Sequence, residues 1–239
     1  MSLKAVLFDL DGTLLPMDHE QFTHIYFGEL AKKLVPYGYP PKQLINAIQA
    51  GVVAMCSGDG QSTNEKSFWS CFTGIFGNAA MEHISVFEDF YRKEFDKAFA
   101  ATAPTEMARK IIDLLHGKGV KAVLATNPVF PAIATQKRMQ WAGLSPEDFV
   151  LCTTYENSRY CKPNPAYYRD ILQALDLRAE DCLMVGNDVD EDMVAQTLGM
   201  KVFLLSDCLL NRHKKSISDY PNGSFEDLLK YLDKNFSIS

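Results

Sequence analysis

The chain has 239 residues, of which 47% are hydrophobic and 23% are charged, and its formal net charge at pH 7 is −6. This size and composition suit one globular domain, or a core domain that carries a second, smaller one. The acidic balance disfavours a nucleic acid or an anionic membrane as partner, although a local positive pocket could still bind a phosphate. Six cysteines without a CxxC pair favour reduced thiols, and no uncharged stretch reaches the roughly 20 residues of a membrane span. We therefore expect a cytoplasmic protein.

A short apolar run at residues 5–8 ends in two carboxylates one residue apart, because residues 9–13 read Asp-Leu-Asp-Gly-Thr. Residues two apart on an extended chain point to the same side, so Asp9 and Asp11 face one small volume. Their mutual repulsion there needs a cation or a proton to relieve it. Gly12 permits a sharp turn of the backbone, and Thr13 adds a hydroxyl. This segment predicts a reaction centre at the end of a buried strand.

Helical periodicity dominates the next part of the chain. Apolar residues recur at steps of three and four over residues 22–34, a second helical pattern begins at residues 40–41, and a third covers the aromatic residues of 68–76. We interpret those aromatic side chains as core rather than as a substrate wall. The segment at residues 57–63, rich in Gly and Ser, is a candidate loop facing the site, and a fourth helix is predicted over residues 84–99.

From Pro104 onward, short apolar runs alternate with helical patterns. The runs lie at residues 121–125, 149–152, 182–185 and 201–205, and the helical patterns begin near residues 105, 130, 165, 191 and 224. This alternation is typical of a parallel sheet covered by helices on both faces. We predict a doubly wound, Rossmann-like α/β core of residues 1–16 and 103–239, with an all-helical domain of residues 17–102 inserted after the first strand. Such an insertion lies where ligands bind, so it is a candidate lid.

Polar residues follow the other predicted strands as well. Thr126 and Asn127 follow the second run, Lys162 lies downstream of the third, and an acidic cluster at residues 186–192 follows the fourth. Because the carboxyl ends of parallel strands meet at one edge of a sheet, these groups are expected to gather beside Asp9. A carboxylate, a hydroxyl donor, a fixed cation and a second acidic cluster together fit phosphoryl transfer better than other common chemistries.

These four segments resemble the motifs of the haloacid dehalogenase-like (HAD) superfamily, in its phosphatase branch with a helical cap of the C1 type. Residues 9–13 look like the first motif, Thr126 like the second, Lys162 like the third and residues 186–192 like the fourth. The resemblance covers essentially the whole chain. It implies a magnesium-dependent phosphatase that hydrolyses the phosphomonoester of a small metabolite through an aspartyl-phosphate intermediate.

The resemblance also implies a role for each matched residue. Asp9 would be the nucleophile, and Asp11 would act first as general acid and then as base. Thr126 would hydrogen-bond a phosphoryl oxygen, and Lys162 would stabilise the negative charge on the nucleophile and the phosphate. The implied phosphate-binding set is Asp9, Leu10, Asp11, Thr126, Asn127 and Lys162.

The implied magnesium ligands are Asp9, the backbone carbonyl of Asp11 and an acidic group of the fourth motif. In the family's common form Gly is followed directly by Asp, whereas Asn187 stands at that place here. We expect Asp188 to be the ligand, with Asp192 in support and Asn187 as the alternative. A phosphomutase of the same superfamily and a non-catalytic phospholigand-binding module remain alternative functions, and Asn187 is the feature that favours the module.

Overall fold

The computed structural model describes residues 3–235 and is built around a six-stranded parallel sheet. The strands are β1 (Ala5–Phe8), β2 (Lys121–Leu124), β3 (Leu151–Cys152), β4 (Cys182–Gly186), β5 (Lys201–Leu205) and β6 (Asn222–Gly223), in the order β3-β2-β1-β4-β5-β6. β1 lies in the interior of the sheet between β2 and β4, and all four of its residues are buried, which explains its continuous apolar run. Residues 1–2 and 236–239 of the predicted core lie outside the described residues.

Helices cover both faces of this sheet, which confirms the predicted doubly wound α/β class. Val6 and Phe8 belong to the buried core that includes side chains of α5 (Glu106–Gly117), α6 (Ala132–Trp141) and α8 (Phe225–Asn235). Ala5 and Leu7 belong to a second core that includes side chains of α7 (Pro165–Ala174). Alternate residues of one strand thus supply two separate cores, as the period of a strand requires.

Between β1 and β2 the chain forms a helical layer. It consists of α1 (His19–Leu34), α2 (Pro41–Cys56), α3 (Asn64–Phe76) and α4 (Ile84–Arg92), followed by a 3-10 helix, Glu94–Ala101. The two chain segments that join this layer to the sheet lie side by side. The Asp18 N–H donates to the Ala101 carbonyl at 2.9 Å, and the Ala103 N–H donates to the Pro16 carbonyl at 2.8 Å.

The predicted helix over residues 84–99 is wrong in its second half, because α4 ends at Arg92 and the chain continues as a 3-10 helix. Phe95 in this 3-10 helix is buried and packs edge-on against the rings of Phe22 and Tyr26. Both windings place residues i and i+3 close to one face, so apolar periodicity over eight residues does not distinguish them.

Two smaller differences lie in the core. The helical pattern predicted from residue 191 is a 3-10 helix, Met193–Leu198, and β6 was not predicted because two residues, Asn-Gly, carry no apolar run. The helical pattern predicted near residue 224 begins with a capping box, since Asp227 Oδ2 accepts from the Ser224 N–H at 3.2 Å and the Asp227 N–H donates to Ser224 Oγ at 3.3 Å. All six cysteines are free thiols. Within residues 3–235, no helix combines the length and the hydropathy needed to cross a membrane.

The core of the helical layer can be tested at Phe90, which is fully buried and packs against the rings of Tyr26, Tyr91 and Phe95. We expect Phe90→Ala to lower the free energy of unfolding by about 3–5 kcal/mol, because it leaves a cavity. Val53→Ala, at a side chain that is 65% exposed, is the control and should change it by about 0.5 kcal/mol or less. Urea denaturation of both variants measures the difference, and equal values would contradict this packing.

Candidate active site

Asp9, the first residue after β1, forms the centre of the site. Its backbone N–H donates to the Val185 carbonyl of β4 at 3.0 Å, so the pairing of the two strands continues one residue beyond β1 and holds Asp9 at the carboxyl edge. Asp9 is only 8% exposed. Its Oδ1 accepts a hydrogen bond from Lys162 Nζ at 2.9 Å, and its Oδ2 accepts none from the described residues. One carboxylate oxygen is therefore fixed and the other is available.

Lys162 bridges two carboxylates. Its Nζ donates to Asp9 Oδ1 at 2.9 Å and to Asp192 Oδ1 at 2.6 Å, and its side chain is fully buried. Burial alone would lower the pKa of Lys162, but the anions of Asp192 and Asp9 raise it well above its usual range. Burial also raises the pKa of Asp192, against the opposing effect of Lys162. The lysine predicted at the sheet edge thus lies between two carboxylates, which favour its charged form.

Asp192 reaches Lys162 by folding back over the end of β4. A Cβ atom on Gly186 would lie 2.0 Å from Asp192 Oδ2, so only glycine leaves room for this carboxylate. The same Oδ2 accepts a hydrogen bond from the Asp188 N–H at 3.0 Å. Gly186 is therefore a requirement of the packing around Asp192.

Thr126 lies beside Asp9, because the Ala125 N–H donates to the Phe8 carbonyl at 2.7 Å and aligns the ends of β2 and β1. Thr126 is 2% exposed, and its carbonyl accepts from Thr153 Oγ1 at 2.7 Å and from the Tyr167 hydroxyl at 2.9 Å. These two bonds fix the backbone of Thr126 at the edge of the sheet.

Asn127 connects three of the four segments. Its Oδ1 accepts from the Lys162 N–H at 3.2 Å, and its Nδ2 donates to Glu191 Oε2 at 3.0 Å. Its side chain therefore holds the lysine segment and the acidic segment together. Sequence reasoning did not identify Glu191 as part of the site, because a glutamate near a helical pattern is ordinarily a favourable surface charge.

The acidic segment folds into a compact turn around Asp188. Asp188 Oδ1 accepts from the N–H groups of Asp190, at 2.8 Å, and Glu191, at 3.1 Å. Its Oδ2 accepts from Arg212 Nη1 at 2.8 Å. Both oxygens of Asp188 thus have protein partners, and Arg212, which lies far along the chain, was not predicted.

Asn187 is 1% exposed and joins this turn to the first segment. Its Oδ1 accepts from Thr13 Oγ1 at 2.9 Å, and its Nδ2 donates to the Cys208 carbonyl at 2.7 Å. An amide satisfies both partners because it is donor and acceptor at once, whereas a carboxylate has no proton for the Cys208 carbonyl. Gly12 has a φ of +84°, and a Cβ there would lie 2.4 Å from Asn187 Nδ2. Asn187 can therefore occupy this position only because residue 12 is glycine.

Asp11 forms an ion pair with Arg138 of α6, a residue that sequence reasoning missed. Arg138 is 1% exposed, and its guanidinium lies 4.3 Å from the centre of the Phe130 ring. Burial raises the pKa of Asp11, and the charge of Arg138 opposes that shift. Asp11 Oδ1 is buried and has no hydrogen-bond partner in the described residues. No local signal in the sequence marks Arg138, because its burial follows from the packing of α6, where Ala134, four residues earlier on the same helical face, is also buried.

A cavity of about 340 Å³ extends from Asp11 into the helical layer. Its lining includes His19, whose Nε2 is buried without a hydrogen-bond partner in residues 3–235. The interpretation of the aromatic residues 68–76 as core holds for Phe72, which is fully buried, and Trp69 is buried as well. Phe68 and Trp69 also line the cavity, so that interpretation was too simple. α3 therefore contributes side chains both to the core and to the wall of the cavity.

The loop at residues 57–63 approaches the site from the helical layer. At its end, the Asn64 N–H donates to the Ser158 carbonyl at 2.8 Å, and Asn64 Nδ2 donates to the Pro128 carbonyl at 3.0 Å. These bonds attach the layer to the segments that carry Asn127 and Lys162. The helical layer is thus docked onto the carboxyl edge of the sheet.

The oxygen atoms around Asp9 suit a hard cation. In the described part of the chain, no three His, Cys, Asp or Glu side chains cluster closely enough to hold a metal ion. Magnesium is usually bound by one or two carboxylates together with water and other oxygen atoms, so it does not need such a cluster. The carboxylate of Asp9 and the backbone carbonyl of Asp11 supply oxygen atoms of this kind.

Fold and site together define an α/β enzyme whose reactive groups lie at the carboxyl edge of a parallel sheet. The chain belongs to the haloacid dehalogenase-like hydrolase family, whose model matches residues 3–195. The pyrophosphatase PpaX of Halalkalibacterium halodurans is 22% identical over 234 residues, which cover 96% of each chain.

Two solved structures illustrate the shared fold. The HAD-hydrolase YfnB of Bacillus subtilis, bound to magnesium, is 19% identical, with a TM-score of 0.59 over 98% of this chain and 100% of that one. CbbY of Rhodobacter sphaeroides, in complex with phosphate, is 17% identical, with a TM-score of 0.60 over 97% of this chain and 100% of that one.

The ion pair between Arg138 and Asp11 is testable through stability. We expect Arg138→Met to lower the free energy of unfolding by about 3 kcal/mol, because it leaves the Asp11 carboxylate without its cation in a buried site. Lys137→Met is the matched control: its partner Asp96 is half exposed, so the loss should be about 1 kcal/mol or less. Thermal or urea unfolding measures both variants, and an unchanged stability of Arg138→Met would refute the ion pair.

Proposed function

We propose that this chain is a magnesium-dependent phosphatase that hydrolyses the phosphomonoester of a small metabolite through an aspartyl-phosphate intermediate. The observation that carries the proposal is the Asp9 carboxylate, which is buried, held by Lys162 through Oδ1, and available through Oδ2. A fixed and partly desolvated carboxylate beside a buried lysine ammonium is suited to attack an anionic phosphoryl group. The helical layer then acts as a C1-type cap that covers the phosphorylated substrate.

In the first step, Asp9 Oδ2 forms a bond to phosphorus while the bond from phosphorus to the ester oxygen breaks. Lys162 stabilises the charge that spreads over Asp9 and the phosphoryl oxygens. Neither the Leu10 N–H nor the Asn127 N–H donates to an acceptor within the described residues, so both are suited to bind those oxygens. The Thr126 hydroxyl would complete the phosphate-binding set.

Asp11 supplies the proton that the leaving oxygen needs. Burial raises its pKa, which favours the protonated form, and Arg138 stabilises the carboxylate that remains after transfer. In the second step, Asp11 takes a proton from the water that attacks phosphorus, and the bond from phosphorus to Asp9 breaks. Phosphate and free Asp9 result, so the cycle closes.

Magnesium would be held by Asp9, the backbone carbonyl of Asp11 and Asp188, with Asp192 in support and Asn187 as the alternative ligand. When bound, the ion supplies positive charge that offsets the repulsion between Asp9 and the phosphate. Of these groups, Asn187 has both ends of its amide engaged and Asp188 is paired with Arg212. An ion pair with one exposed partner is easily exchanged, so Asp188 remains our choice.

The nucleophile can be tested with Asp9→Asn. We expect release of inorganic phosphate from a panel of phosphomonoesters with magnesium to fall on the order of a thousand-fold or more, because an amide does not attack phosphorus. Asp176→Asn is the control, since this exposed residue has a φ of +51°, a conformation that asparagine tolerates. Full activity of Asp9→Asn would contradict the proposed mechanism. Return of phosphate to the substrate would favour the phosphomutase, and binding without turnover would favour the non-catalytic module.

The metal can be tested by removal. Dialysis against EDTA should abolish phosphate release, and added magnesium should restore it. Asp188→Asn should raise the magnesium concentration needed for half-maximal activity by about 10- to 100-fold. Asp190→Asn, a change of the neighbouring acid whose carboxylate pairs with Lys215 and His213, is the control and should have little effect. Equal magnesium dependence of the two variants would contradict Asp188 as ligand.

A further inference from the structure

The cavity that extends from Asp11 into the helical layer has mainly apolar walls, and aromatic rings make up a large part of them. Nine of its 23 lining residues are Phe, Tyr or Trp, and its volume of about 340 Å³ suits a small organic group. Phe68, Trp69 and Phe87 line it from the helical layer, and Phe130 and Tyr155 line it from the segments that follow the sheet strands. Asp11 is the one aspartate among the lining residues, so the cavity begins at the proposed proton donor.

The rings are held in place by one another. Trp69 packs edge-on against Phe87 with ring centres 5.4 Å apart. The hydroxyls of Tyr26 and Tyr91 lie 3.0 Å apart and form a hydrogen bond to each other, which is buried. These two hydroxyls therefore satisfy each other and leave apolar ring surface toward the cavity.

The charged groups of the cavity wall are unbalanced toward the negative. Its arginine, Arg92, pairs with Glu88 at 2.9 Å. Glu156 accepts two hydrogen bonds from the Ala132 N–H, at 2.9 and 3.1 Å. The Glu65 carboxylate has no hydrogen bond or ion pair with the described residues, and burial followed by the charge of Glu156 raises its pKa. No unpaired arginine or lysine lines the cavity within residues 3–235.

We propose that this cavity binds an uncharged aromatic leaving group and rejects leaving groups that carry a second anion. The inference rests on the proposed phosphatase function, because it places the leaving group on the Asp11 side of phosphorus. A carboxylate or a phosphate in this cavity loses its water without gaining an unpaired lysine or arginine, and it also meets the charge of Glu65. An aromatic ring instead gains ring-to-ring contacts and buries apolar surface.

Three primary phosphate esters test this selectivity: benzyl phosphate, phosphoglycolate and phosphoethanolamine. Each links the phosphate through a CH2–O group, and they differ in carrying a ring, a carboxylate or an ammonium. We expect kcat/KM for benzyl phosphate to exceed that for phosphoglycolate by about 100-fold, which corresponds to one unpaired anion in an apolar site. We expect it to exceed that for phosphoethanolamine by a smaller factor, because an ammonium loses its water in the apolar cavity but meets the opposite charge of Glu65. A preference for either charged ester overturns the inference.

Two variants localise the effect. Glu65→Gln should raise kcat/KM for phosphoglycolate about 10-fold relative to benzyl phosphate, because it removes the opposing charge. Glu82→Gln, at an exposed glutamate of the helical layer outside the cavity wall, is the matched control and should leave the ratio unchanged. Phe68→Leu should lower kcat/KM for benzyl phosphate more than kcat/KM for phosphoethanolamine, because it removes a ring from the cavity wall. Equal ratios in Glu65→Gln and Glu82→Gln would contradict the assignment of Glu65.

A binding measurement separates this inference from the proposed function. Calorimetric titration of Asp9→Asn protein with the same esters reads the selectivity of the cavity without turnover. Absence of phosphate release by the wild-type protein, together with tighter binding of benzyl phosphate to Asp9→Asn, would contradict the phosphatase and support the cavity assignment. Tighter binding of phosphoglycolate than of benzyl phosphate would overturn the cavity assignment, whatever the activity.

Discussion

The ammonium group of Lys162, buried between the carboxylates of Asp9 and Asp192, is the interaction on which the rest of the site depends. Three charges in a buried position are costly to desolvate, and they persist only where geometry and further hydrogen bonds compensate. The fold supplies that geometry by bringing three distant segments to one sheet edge. Asp9 is placed by pairing with β4, Lys162 by its backbone bond to Asn127, and Asp192 by the space that Gly186 leaves.

The second carboxylate of the first segment is held by a separate cation. Asp11 pairs with Arg138, whereas Asp9 pairs with Lys162. The two aspartates, which lie two residues apart on the chain, thus have different cationic partners. This division relieves their mutual repulsion without a shared proton. It also gives them different surroundings, one against the sheet edge and one at the start of the aromatic cavity. The proposed roles of nucleophile and proton donor follow from that difference.

Much of this arrangement could be predicted from the sequence, because parallel strands leave a strong local signal. Each buried strand is an apolar run, and the polar residue that ends it must lie at the carboxyl edge. Asp9 and Thr126 were placed in this way, and Lys162 and the acidic cluster at residues 186–192 were expected to gather beside them. The contacts of Arg138 and Arg212 could not be predicted, because both arginines pair with residues far away along the chain and each has the local appearance of a surface charge. The role of Asn187 was also hidden, since its partners Thr13 and Cys208 are brought to it only by folding.

The account depends most directly on a covalent bond between Asp9 and phosphorus. Acid quenching of the enzyme during turnover of benzyl phosphate with magnesium, followed by peptide mass spectrometry, tests this bond. We predict a phosphoryl group on the carboxylate of Asp9, present during turnover and absent after the substrate is exhausted. Sustained release of phosphate with Asp9 unmodified throughout, or with the phosphoryl group on another residue, would contradict the account.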